Sequence, residues 1–161
     1  MEQLKRKLNR LENYDYSQNG AYFITICIKD RQELLWKQGV AATCGRPYEI
    51  AQLSEIGLLI DNEIQKIQMI YDNVRIDKYV IMSNHIHMII ILEDHNGRPQ
   101  VAPTVSRIVK QFKGVISKHV GYTIWQKLFH DHIIRSKQGY QEIWQYINEN
   151  PLKWKEDCYY K

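Results

Sequence analysis

The stretch Tyr79-Val80-Ile81-Met82-Ser83-Asn84-His85-Ile86-His87-Met88-Ile89-Ile90-Ile91-Leu92 decides how the chain is read. Its second half is apolar and β-branched with two histidines at alternate positions, the composition of a buried strand and not of a loop. Side chains alternate along a strand, so His85 and His87 share one face while Ile86 and Met88 take the other. Two neutral imidazoles side by side can hold a divalent cation; a His-x-His on its own can equally be two partly buried histidines satisfied by hydrogen bonds. The polar Ser83-Asn84 immediately before the pair puts it at a strand entrance open to solvent. That position favours a metal site, because converging ligands on a rigid element make one.

Working outward, Val74 to Met82 reads as the strand that forms a hairpin with the histidine strand through the turn at Ser83-Asn84. Upstream, Leu53, Ile56, Ile60, Ile64, Ile67 and Tyr71 recur at three- and four-residue steps with charged residues between them, which predicts a long amphipathic helix. Before it, Ala21 to Ile28 is a β-branched and aromatic run of strand length, ended by Lys29-Asp30-Arg31. Leu34 to Tyr48 has no sustained period and reads as an irregular connection. Met1 to Asn13, with Lys5, Arg6, Lys7 and Arg10 between spaced leucines, is a short amphipathic helix, a basic arm or a solvated terminus.

Downstream, Glu93 to Pro103 is polar and rich in turn residues, a loop. Thr104 is an N-cap for a second helix whose buried stripe is Val105, Ile108, Val109, Phe112, Ile116 and Val120. Arg107, Lys110, Lys113 and Lys118 make its other face basic with no acid between Thr104 and Gly121, a candidate phosphate contact or an ordinary solvated face. Leu128 to Ile134 is a further strand, and Gln138 to Asn150 a third helix stopped by Pro151. The order strand, helix, strand, strand, helix, strand, helix is a ferredoxin-like split βαβ arrangement with one extra C-terminal helix. The fold class is therefore α+β with a mostly antiparallel sheet, in a single domain spanning 1–161.

Composition limits the function. The chain has 161 residues, a net charge of +4 and three cysteines, none in a Cys-x-x-Cys spacing. An odd cysteine count without that spacing argues against a disulfide scaffold and a zinc knuckle. No apolar run approaches the roughly 20 residues a membrane-spanning helix needs, and no signal peptide follows the basic start, so a cytoplasmic location is expected. The mild positive charge permits a polyanionic partner without requiring one. Tyr146 and Asn150 stand four residues apart on one face of the third helix, at the border of its buried stripe. Packing for Tyr146 and a C-terminal cap for Asn150, with a backbone biased away from the α region by Pro151, are their plain readings.

Taken together, Tyr79 to His87, Phe112-Lys113, Phe129-His130-Asp131-His132-Ile133-Ile134-Arg135 and Tyr146-Ile147-Asn148-Glu149-Asn150-Pro151 resemble the REP-associated tyrosine transposases. These are single-tyrosine transposases of the His-hydrophobe-His superfamily. Tyr14-Asp15-Tyr16 with Gly20-Ala21-Tyr22-Phe23-Ile24-Thr25 is similar to that family's first strand, so the resemblance covers nearly the whole chain. It implies a metal-dependent single-strand DNA endonuclease and strand transferase acting on hairpin or palindromic DNA. His85 and His87 would be metal ligands, Asn150 a polar third ligand one turn after Tyr146, and Tyr146 the nucleophile that forms a 5′-phosphotyrosine. The partners implied are single-stranded or hairpin DNA, with a homodimer left open and no membrane.

These residue types suit that chemistry. A divalent cation polarises the non-bridging oxygens of a phosphodiester, and two imidazoles with an amide oxygen and waters leave Mg2+ or Mn2+ usable. A phenol of ordinary pKa near 10 needs deprotonation or metal assistance to attack. Arg135, Arg107, Lys110 and Lys113 are the expected phosphate contacts. His130 and His132 form a second His-x-His, a rival metal pair or a structural or DNA-facing one. Two other functions compete: a non-catalytic single-stranded nucleic-acid-binding module, and a metal-dependent hydrolase that uses water.

Overall fold

The computed structural model describes residues 14–37, 52–93 and 103–159. The basic segment Met1 to Asn13, Cys44 with most of the Leu34 to Tyr48 connection, and nearly all of the Glu93 to Pro103 loop lie outside the described residues. The elements run β1 (Gly20–Cys27), α1 (Glu55–Ile70), β2 (Val74–Ile81), β3 (His85–Leu92), α2 (Val105–Val120), β4 (His130–Ile134) and α3 (Lys137–Glu149). Short 3-10 turns cover Lys29–Arg31 and Trp154–Glu156.

The strands form one sheet in the order β2-β3-β1-β4, and all three pairings are antiparallel. With helices after β1 and β3, this is the ferredoxin-like split βαβ arrangement that the element order predicts, with α3 added. Alternation along the strands then builds two apolar layers. Tyr22, Ile24 and Ile26 of β1 and Ile86, Met88 and Ile90 of β3 pack with Ile60 and Ile64 of α1 and Ile108, Phe112 and Ile116 of α2. On the opposite face, Val80, Met82 and Ile89 pack with Ile147 of α3 and Trp154 of the tail. His85 and His87, in step with Ile89, belong to this second face.

Each helix starts where a hydroxyl satisfies a free backbone N–H. Ser54 accepts from Gly57 N, Thr104 from Arg107 N and Ser136 from Gly139 N. Gly121, at φ 90°, ends α2 in the left-handed conformation that glycine adopts without strain. β4 begins two residues later than the sequence suggests. Leu128 is left exposed, and just before it the carbonyls of Gln126 and Lys127 accept from Lys113 Nζ at 2.6 and 3.3 Å.

The Ser83-Asn84 turn is not the exposed turn its composition suggests. Ser83 and Asn84 are both buried, because residues 28–36 and the tail close over them. Ser83 O accepts from Leu35 N at 3.0 Å, Asn84 O from Ile28 N at 2.9 Å, and Asn84 Nδ2 donates to Tyr159 O at 2.9 Å. A polar pair that reads as a hairpin tip is instead fully hydrogen-bonded inside the fold, as buried polar groups must be.

Candidate metal and tyrosine site

The site is assembled from three pieces of chain on the α3 side of the sheet. Central strand β3 supplies His85 and His87. Its neighbour β1 places Cys27 opposite His85 and Thr25 opposite His87. The two imidazoles are fixed through their Nδ1 atoms: Asn84 Oδ1 lies 2.9 Å from His85 Nδ1 and Thr25 Oγ1 2.8 Å from His87 Nδ1. Their Nε2 atoms face each other at 3.0 Å. Oxygen partners on the far nitrogens orient a histidine pair for metal binding.

The expectation that this pair is open to solvent does not hold, since His85 is 0% and His87 2% exposed. Aromatic rings cover them. Tyr159 and Trp154 lie 4.5 and 5.6 Å from the His85 ring, centroid to centroid, and Phe23 and Tyr146 each lie 5.2 Å from His87. Burial drives both imidazoles toward the neutral form, lowering the pKa of His85 to about 4 and that of His87 to about 3. Neutral nitrogens are the form a metal requires.

Tyr146 stands at the rim, 41% exposed, with its hydroxyl 3.3 Å from His87 Nε2. That hydroxyl donates to Asp157 Oδ2 at 3.1 Å. Burial first, then the charge of Asp157, push the phenol well above its ordinary 10. Asp157 itself stays below 3.8: burial opposes ionisation, but hydrogen bonds from Tyr159 N, Asn150 Nδ2 and the Tyr146 hydroxyl outweigh it. The carboxylate is therefore an anion beside two neutral imidazoles.

Asn150 is 3% exposed and donates through Nδ2 to Asp157 Oδ2 at 2.7 Å. Its backbone is in the α region, at φ −54° and ψ −42°, against the bias expected of a residue before proline. The chain keeps turning past Pro151, with Leu152 N bonded to Glu149 O and Lys153 N to Asn150 O, and the anchored side chain holds that turn. Asn150 is thus a buried site residue and not a side-chain cap. Its Oδ1 is buried without a hydrogen-bond partner among the described residues.

One His nitrogen each from His85 and His87 and a carboxylate oxygen of Asp157 lie within 4.8 Å of one another. Two imidazoles, a carboxylate and a buried amide oxygen still lacking a partner fit a divalent cation of the magnesium or manganese type. Sequence reasoning found His85, His87, Tyr146 and Asn150, which the structure brings together. It missed Asp157, which stands next to Glu156 in the short tail Lys155-Glu156-Asp157-Cys158 with no period to mark a face; the apolar Trp154 is a sign that this tail packs. Thr25 was equally invisible, because its role comes only from the β1–β3 register.

The expected phosphate contacts are dispersed. Arg107 and Lys110 lie on α2, across the sheet from the histidines. Arg135 is exposed just past β4. Lys113 differs from these: its ammonium is half-buried on the carbonyls of Gln126 and Lys127, and burial lowers its pKa, so it braces α2 against the segment before β4. His130 and His132 lie on β4, both exposed, with Asp131 on the opposite face.

No family model matches the chain. A solved structure of a REP-associated tyrosine transposase bound to a REP hairpin superposes with a TM-score of 0.62 at 23% identity, over 89% of this chain and 73% of that one. Fold and residue arrangement thus define a ferredoxin-like α+β protein with the architecture of the REP-associated tyrosine transposases, in line with the motif resemblance. An uncharacterized protein of Haemophilus influenzae is 33% identical over 96% of this chain and 93% of its own length. The chain belongs to one family with that protein.

Proposed function

We propose that the chain is a metal-dependent single-strand DNA endonuclease and strand transferase that works through a 5′-phosphotyrosine on Tyr146. The observation that carries the reading is the convergence of the two Nε2 atoms at 3.0 Å, with the Tyr146 hydroxyl 3.3 Å from one of them. The hairpin bound by the structurally similar transposase supports hairpin or palindromic DNA as the substrate class.

His85, His87 and Asp157 would hold Mg2+ or Mn2+, joined by the Oδ1 of Asn150, partnerless among the described residues; the Nδ2 of that amide is bonded to Asp157. The cation would supply Lewis-acid polarisation of the scissile phosphate. Asp157 accepts the phenolic hydrogen bond, so it is placed to receive the proton of Tyr146 as the phenol attacks phosphorus. The P–O3′ bond breaks, the 3′-oxygen leaves and takes up the proton that Asp157 received, and the phosphoryl group stays on Tyr146. Attack by another 3′-hydroxyl then reverses the chemistry and joins strands. A reacting oxygen must come within about 3–3.5 Å of phosphorus, so the half-exposed Tyr146 suits a substrate arriving from solvent. Arg107, Lys110 and Arg135 contact phosphates away from the reacting bond.

The test is a denaturing gel of the protein with hairpin single-stranded DNA and Mn2+. Cleavage with a protein adduct on the 5′ side, lost in Tyr146→Phe, is the expected result. Cutting by Tyr146→Phe at the wild-type rate would favour the water-using hydrolase, and metal-independent binding without any cut would favour the binding module.

A further inference from the structure

We infer that the half of the sheet face beside α3, which no helix covers among the described residues, is a track for the single strand flanking the reacting phosphate, with His130 and His132 as its outer contacts. The inference rests on the proposed function and assigns the one motif that reading does not use. α3 packs on β2 and β3. The strand register places His130 opposite Thr25, which faces His87, and His132 opposite Phe23, which faces Ile89. Directly opposed residues of an antiparallel pair point to the same side. The second histidine pair is therefore on the same face as the first, two strands away at the sheet edge.

This row is continuous with the site. Phe23 is half-buried, stacks on His87 at 5.2 Å and meets the Tyr146 ring edge-on at 6.1 Å. Beyond it His132 and His130 are exposed. Planar rings thus line a path from the phenol to the sheet edge, and each can stack a base whatever its identity, while the imidazole N–H groups can donate to phosphate oxygens. Charge agrees. Asp131, the one acid of β1 and β4, pairs with Ile24 and so faces the helix layer. Arg135 is exposed just past β4, and Lys127 in the segment before it.

A second metal pair is the competing use of His130 and His132. Among the described residues, however, the only cluster of three metal-ligating side chains is His85, His87 and Asp157. A two-histidine edge without a third ligand suits a strand of nucleic acid better than an ion.

The test uses the full chain carrying Tyr146→Phe, in EDTA, with two hairpins that differ only in a single-stranded extension of several nucleotides. Affinity is measured for each, with and without His130→Ala and His132→Ala together. The unaltered pair should bind the extended hairpin more tightly than the plain one, and the double substitution should remove roughly ten-fold of affinity from the extended hairpin alone. Both side chains are exposed, so the melting temperature should stay the same. An extension effect that survives the double substitution overturns the inference and leaves the proposed function standing. Absence of binding to either hairpin overturns the proposed function and the inference with it.

Discussion

Thr25 touches no proposed substrate atom, yet its hydroxyl at 2.8 Å is the group that orients His87. Thr25→Val keeps the shape and removes that oxygen. Mn2+ affinity, read by paramagnetic resonance without DNA, should fall by about 10- to 100-fold. Thr25→Ser should restore most of it, and an unchanged affinity in Thr25→Val would remove the hydroxyl from the site's function. Tyr146→Phe loses one hydrogen bond to Asp157 at a rim position and should cost only about 1 kcal/mol of stability, measured by urea unfolding, while eliminating the covalent adduct. At this scale the sequence was most readable where a period or motif marks a residue. The alternation in His85-Ile86-His87 and the four-residue step from Tyr146 to Asn150 are local patterns. Asp157 and Thr25 enter the site through tail packing and strand register, which no local pattern encodes.

The elements themselves were legible because each carries its own period, cap or breaker. α1 announces itself by its apolar stripe, α2 by Thr104 and Gly121, and β3 by its β-branched run. What could not be read was the closing of residues 28–36 and the tail over the Ser83-Asn84 turn, since a polar dipeptide looks the same exposed or enclosed. Two predictions belong here. Asn84→Ala strips the acceptor from the buried His85 Nδ1 and the donor to the partly buried Tyr159 O, and should destabilise the fold by roughly 1–3 kcal/mol. Chemical denaturation would measure it, and a loss within error would mean the turn does not depend on that amide. In α1, Gly57 fits because the helix comes against the backbone of Leu35: a Cβ there would sit 2.3 Å from Leu35 O. Gly57→Ala should lower the melting temperature, although alanine is the better helix former by about 1 kcal/mol. A rise would show that residues 34–36 yield easily.

For the molecule as a whole, the sheet separates a stabilising layer from a chemical one. α1 and α2 form the larger apolar cluster on one side, while the other side keeps two imidazoles away from water. Those imidazoles make stability depend on pH. Unfolded, each has a pKa near 6.5; folded, they stand at about 4 and about 3. Below pH 6.5 the unfolded chain takes up protons that the folded one refuses, so stability is full above 6.5 and falls as pH drops toward 4. Asp157, held below its ordinary value, adds to the loss at still lower pH. In EDTA the melting temperature should decline from pH 6.5 to 5, and His85→Gln with His87→Gln should flatten that decline; a parallel decline in the double variant would place its origin elsewhere. The facing nitrogens also fix where hydrogens reside. Asn84 gives its Nδ2 to Tyr159 O, so its Oδ1 can only accept, and His85 must carry its hydrogen on Nδ1. An Nε2 to Nε2 hydrogen bond then puts the hydrogen of His87 on Nε2, with its Nδ1 accepting from the Thr25 hydroxyl. A metal held through His87 Nε2 would need the other tautomer of His87, in which Nδ1–H donates to that same oxygen. Threonine can reverse its role by turning one O–H bond, so the Thr25 hydroxyl can serve either tautomer of His87, including the one that leaves Nε2 free as a ligand.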